Sequence, residues 1–102
     1  MKINFWLRDE TCRVVEADGS KTVMRAAVAN DVSGIDGDCG GEMSCATCHV
    51  YVHPEWFDRL PARDMYEDAL LESTMDPRPN SRLSCQIPVT PELDGLTVTV
   101  AN

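Results

Sequence analysis

The chain is short of positive charge. Of its 102 residues only 9 are Lys or Arg, against 17 Asp or Glu, for a formal net charge of −8. Such a surface is repelled by a polyanionic duplex and by an anionic bilayer, which argues against nucleic-acid and membrane partners. Either the acidity serves solubility alone, or it complements a partner with a basic docking face, speeding association in a salt-dependent way. There is no apolar run near the roughly 18 residues needed to cross a bilayer. The start, from Met1 to Phe5, lacks the apolar stretch and small-residue cleavage site of a secretory signal. A cytoplasmic location is therefore expected, where thiols stay reduced. Also missing are internal repeats, low-complexity tracts and linkers, so residues 1–102 are expected to form a single domain. The sequence offers no catalytic acid–base pair either. So short a chain has little room for both a cofactor and a substrate pocket, and a carrier or module is expected rather than a self-contained enzyme.

Hydrophobic periodicity predicts a mixed α+β domain. Ile3, Phe5 and Leu7 alternate with polar neighbours, which predicts a strand over 2–7. A second strand over 12–16 would complete a hairpin. Thr22 to Asn30 reads as the main helix, capped by Ser20 or Thr22, with Val23, Met24, Ala27 and Val28 on its buried face. Val50 to Val52 is a short strand. Pro54 to Leu60 and Arg63 to about Thr74 read as short helices, the second ending before Pro77 and Pro79. Leu83 to Val89, containing Cys85, reads as a strand. A final strand carries Leu96, Val98 and Val100 after the Asp94–Gly95 turn. Trp6, Trp56 and Phe57 are expected in or against the core.

Five cysteines make an odd count for a disulfide framework. Four of them form a pattern: Cys39, Cys45 and Cys48 in C-x5-C-x2-C spacing, then Cys85 after a further 36 residues. Four of the six glycines, Gly34, Gly37, Gly40 and Gly41, fall within the same irregular stretch. Glycine lets backbone approach a cofactor closely, and amides of such a loop can point at sulfur. A 2Fe–2S cluster needs four thiolates in two pairs, and this pattern supplies them. Electron transfer one electron at a time is the activity such a centre would give. A zinc module with four cysteine ligands would ordinarily use two CxxC knuckles, whereas here one half is the lone Cys85. A thioredoxin-like redox pair would sit at a helix start in a βαβ pattern that the chain lacks. The remaining thiol, Cys12, is expected to be buried filler in its strand. His53 is expected at the surface or as a helix cap.

The run Cys39, Gly40, Gly41, Glu42, Met43, Ser44, Cys45, Ala46, Thr47, Cys48, His49 resembles the cluster loop of adrenodoxin- or putidaredoxin-type ferredoxins. So does Ser81 to Ile87 around the fourth cysteine, and the likeness spans nearly the whole chain. The five-residue gap between the first two cysteines separates it from plant-type ferredoxins, which have four. Glu42 and Met43 are bulkier than the small residues common there. The resemblance implies a β-grasp fold: a mixed sheet of about five strands, one main helix, and short helices after the cluster loop. It implies a 2Fe–2S cluster held by Cys39, Cys45, Cys48 and Cys85. It implies a monomeric carrier that accepts electrons from an FAD-containing, NAD(P)H-dependent ferredoxin reductase. Delivery would be to an oxygenase, most often a bacterial cytochrome P-450. A branch of the family serves iron–sulfur cluster assembly instead, though its members often carry extra cysteines where Met43, Ser44, Ala46 and Thr47 stand. The family docks partners through an acidic helix between the third and fourth ligands. Here that helix carries Asp64, Glu67, Asp68 and Glu72, with Asp76 beyond, and Asp64, Asp68 and Glu72 share one face. His49 is expected to support the cluster loop by bonding it to the docking region.

Overall fold

The computed structural model of the chain describes residues 1–7, 9–32, 35, 49–63, 65–72, 74 and 76–101. Cys39, Cys45, Cys48, Glu42, Met43 and Asp64 lie outside the described residues.

Among the described residues, five strands form one mixed sheet: β1 Lys2–Trp6, β2 Cys12–Glu16, β3 His49–Val52, β4 Ser81–Leu83 and β5 Leu96–Val100. Their spatial order is β2-β1-β5-β3-β4. β1 and β2 form the antiparallel hairpin, with Ile3 opposite Val15 and Trp6 opposite Cys12. β1 then runs parallel to β5, with Ile3 opposite Leu96 and Phe5 opposite Val98. That central parallel pair comes from the two ends of the chain, and the Asp94–Gly95 turn fixes its register. The Lys2 N–H donates to Asp94 Oδ1 at 2.8 Å, and the Gly95 N–H donates to Lys2 O at 2.7 Å. Gly95 has φ +93°, a conformation that L side chains rarely adopt, and an added Cβ would also meet the Trp56 ring at 3.6 Å.

Period-two alternation decides the sheet's faces. Ile3, Phe5, Leu96, Val98, Val50 and Val52 are fully buried on the inner side. Each such side chain contributes roughly 1.5–3 kcal/mol by leaving water. Helix α1, Val23–Ala29, packs beside β2 and beside the turn that follows β4. Thr22 is its N-cap, its Oγ1 accepting from the Arg25 N–H at 3.2 Å. The buried side of α1 is Val23, Met24, Ala26 and Ala27, whereas Val28 is 42% exposed. The expected face was therefore rotated by part of a turn.

Helix α2 is Pro54–Phe57, shorter than expected, with proline at its start and His53 at the N-cap position. His53 makes no side-chain cap bond; its Nε2 lies 3.1 Å from Thr99 Oγ1 instead. Helix α3 is Met65–Leu71 and packs on β4. Trp56 and Phe57 lie half-buried against the core, and Trp6 is 39% exposed.

Two expectations need correcting. The strand over 83–89 does not form: β4 ends at Leu83, and Ser84–Gln86 is a 3-10 turn closed by the Ile87 N–H donating to Ser84 O. Cys85 therefore sits in a turn. Cys12 is an exposed thiol rather than core filler, because its partner across the hairpin is the outward Trp6 while Val15 takes the inward position.

Candidate metal centre and docking helix

Of the four pattern cysteines, the described residues include Cys85. It is 5% exposed, at the centre of the 3-10 turn, with Gln86 Nε2 at 3.5 Å from its sulfur. A buried sulfur that meets an N–H donor suits a thiolate ligand. Leu83, two residues before it, is paired with His49, and His49 is the residue covalently joined to Cys48. The β3–β4 ladder thus fixes the two chain ends from which the loop and the lone cysteine leave the sheet.

His49 is fully buried. Its Nε2 lies 2.8 Å from Ser81 Oγ, which also accepts from the Arg78 N–H at 2.8 Å. Its ring meets Tyr51 edge-on, with centroids 4.9 Å apart. Burial pushes the imidazole below its usual range; Asp76 opposes this and Arg78 adds to it. Nδ1 is buried with no hydrogen-bond partner among the described residues. A buried nitrogen without a partner among the described residues, on the residue that follows Cys48 in sequence and pairs with Leu83 two residues before the buried Cys85, fits a polar inorganic group at this end of the sheet. Two ferric ions, two sulfides and four thiolates make a compact anion of that kind.

The acidic helix sorts its carboxylates by face. Glu67, expected in the docking patch, is instead 2% exposed. It receives Arg82 Nε at 2.7 Å and Arg82 Nη2 at 3.3 Å, and the Leu83 N–H donates to its Oε2 at 2.9 Å. Arg82 also donates through Nη1 to Pro61 O at 2.7 Å. The reason is helical phase: Glu67 lies four residues from the buried Leu71, not on the Asp68–Glu72 face. Glu67 cannot touch a docked protein; it ties α3 to the strand leading to Cys85.

Asp68 and Glu72 are exposed. Asp68 Oδ1 pairs with Arg63 Nε at 2.8 Å, and Arg63 Nη1 donates to Ser81 O at 3.1 Å. Ser81 thereby stands between Arg63 on the α3 side and His49 on the sheet. Asp76 is exposed, with φ +55°, and pairs with Arg78 Nη2 at 2.8 Å, while its backbone O accepts from Tyr51 Oη at 2.6 Å. Sequence reasoning overlooked Arg63, Ser81 and Arg82. No sequence signal marked Arg82, because the burial of Glu67 that requires a cation shows only once α3 is packed on β4.

Comparison with known proteins adds to this geometry. The family model described as a 2Fe-2S iron-sulfur cluster binding domain matches residues 7–90. Putidaredoxin of Pseudomonas putida is 47% identical over 100 residues, covering 97% of this chain and 94% of that protein. The crystal structure of a ferredoxin from Rhodopseudomonas palustris HaA2 superposes with a TM-score of 0.95 at 44% identity, covering 100% of this chain and 97% of that one. Putidaredoxin in its covalent complex with putidaredoxin reductase superposes with a TM-score of 0.94 at 48% identity, covering 98% and 97%.

Proposed function

This chain belongs to the putidaredoxin-type 2Fe–2S ferredoxins, and we propose from that membership that it takes electrons singly from a flavoprotein reductase and delivers them to an oxygenase, a cytochrome P-450 above all. It is an electron carrier rather than an enzyme, and its cofactor is a 2Fe–2S cluster. The bound cluster supplies a one-electron couple. We assign its ligands as Cys39, Cys45, Cys48 and Cys85.

The chain's own residues do three things. Cys85 offers a buried sulfur in a turn pinned on both sides, by the Glu67 contact at Leu83 and by the Ile87 amide. The apolar core around it keeps water from one side of the site, and Gln86 provides a donor toward sulfur, the kind of contact that tunes a potential. The exposed carboxylates Asp68, Glu72 and Asp76 present negative charge to a basic partner. Asp64 belongs to the same proposed patch by sequence.

The observation that carries this reading is the buried Cys85, in the turn after the strand on which an acidic helix packs with Asp68 and Glu72 facing outward. The test is anaerobic reduction of the holoprotein by a putidaredoxin reductase, followed by mixing with an oxidised cytochrome P-450. Rapid bleaching, then recovery of colour as the haem is reduced, is expected. A holoprotein that dithionite bleaches but the reductase leaves untouched would overturn the reductase assignment. Bleaching without onward transfer would overturn the P-450 assignment alone.

A further inference from the structure

β4 is the last strand of the sheet, so one row of its backbone groups has no strand to pair with. Side chains from the α3 side fill that row. Glu67 Oε2 accepts from the Leu83 N–H at 2.9 Å, and Arg63 Nη1 donates to Ser81 O at 3.1 Å. The two side chains are four residues apart, and the backbone groups they meet belong to residues two apart on the strand. Glu67 is buried with Arg82, whereas the Arg63 side chain is 28% exposed and its Nε also pairs with exposed Asp68 at 2.8 Å. Arg63 thus reaches from the solvent side of the helix to Ser81, which is fully buried.

Ser81 is in turn in contact with His49. Its Oγ accepts from the Arg78 N–H at 2.8 Å and lies 2.8 Å from His49 Nε2. With an amide already donating to it, the hydroxyl satisfies both partners when its own O–H donates to Nε2. The neutral ring then carries its proton on Nδ1, the nitrogen with no partner among the described residues. We infer that Arg63 is a positioning residue for electron transfer: it holds Ser81 so that the Ser81 hydroxyl keeps His49 in its Nδ1–H form. The inference rests on the carrier reading above. His49 follows Cys48 and pairs with Leu83, two residues before Cys85. An N–H donor fixed at that place favours the added negative charge of a reduced centre, so the strut raises the reduction potential. A guanidinium suits the task because its planar fork makes both bonds at once, whereas an ammonium is a point charge without that geometry.

The test is spectroelectrochemical titration of the holoprotein. S81A is expected to lower the equilibrium constant for reduction about fivefold, the worth of one hydrogen bond, and R63A about threefold. R63K should fall as far as R63A although it keeps the charge. R63A on an S81A background should add nothing, because the hydroxyl through which Arg63 acts is gone. Visible absorption and iron content should stay those of wild type throughout. Where R63A loses iron, R63M, which keeps the aliphatic stem, carries the same expectation. A wild-type potential in R63A and R63M would overturn the inference and leave the carrier reading intact. A wild-type potential in R63K would reduce Arg63 to a point charge and overturn the positioning role, as would an effect of R63A that persists undiminished in S81A. A wild type that dithionite does not bleach would overturn the carrier reading and this inference together.

Discussion

Glu67 and Asp68 are neighbours in sequence, carry the same charge and face opposite worlds. Glu67 is on the inner side of α3, 2% exposed, with Arg82 Nε, Arg82 Nη2 and the Leu83 amide converging on its two oxygens. Asp68 is on the outer side, its side chain 53% exposed, with Arg63 at 2.8 Å. An acidic residue on a helix is therefore either part of the fold or part of the surface, and a rotation of about 100° per residue decides which. The inner carboxylate fixes the helix to the strand that leads to Cys85. The outer ones are spared that duty and can be spent on recognition. The thiols divide in the same way: Cys85 is buried in its turn, and Cys12 is exposed on the outer side of the hairpin.

Breaking the comparison at the thiols should give the largest effect. C85A should lose the cluster, read as iron and sulfide content and as visible colour, whereas C12A should keep both. A C85A protein with a full complement of iron would mean that the ligand set is wrong. Next comes the inner carboxylate. E67A leaves the Arg82 cation buried without its counter-ion, which costs about 3–5 kcal/mol. Urea unfolding of the holoprotein should show it as a lowered midpoint. The double variant E67M/R82M removes both charges and should be less destabilised than E67A alone, although the Leu83 N–H loses its acceptor.

The outer carboxylates should behave in the reverse manner. D68K/E72K should slow association with the reductase by about tenfold at low salt, with the deficit shrinking as salt rises. Its spectrum should match wild type. Unaltered low-salt kinetics would remove Asp68 and Glu72 from the docking face. The smallest effect is on stability at the same place: D68A loses a half-exposed pair with Arg63, worth about 0–1 kcal/mol. A loss from D68A as large as that from E67A would erase the distinction between the two faces.

Much of this was legible in the sequence, because the strong local signals agreed with the fold. The alternation of Ile3 and Phe5, the cap at Thr22 and the Asp94–Gly95 turn all lie where the structure uses them. The errors have physical causes. Leu83, Cys85, Ile87 and Val89 alternate as a strand would, but Ser84 is buried too and the chain turns there, a distinction that periodicity does not carry. Cys12 looked like core because cysteine usually is, yet the hairpin register gives the inward place to Val15. Glu67 was grouped with Asp68 and Glu72 by charge, although its four-residue partner is the apolar Leu71. The tie through Arg82 joins residues 15 apart in sequence on two different elements, so it emerges only from the packing of α3 on β4.

The central claim is that this chain stores one electron at a centre held by its cysteines, and anaerobic dithionite titration followed by visible absorption tests it most directly. The expected result is violet and blue bands that bleach in proportion to added reductant and stop at one electron per chain, with two irons and two sulfides bound as the 2Fe-2S domain requires. An end point at two electrons, or a protein that remains colourless after reconstitution with iron and sulfide and holds zinc, would contradict it.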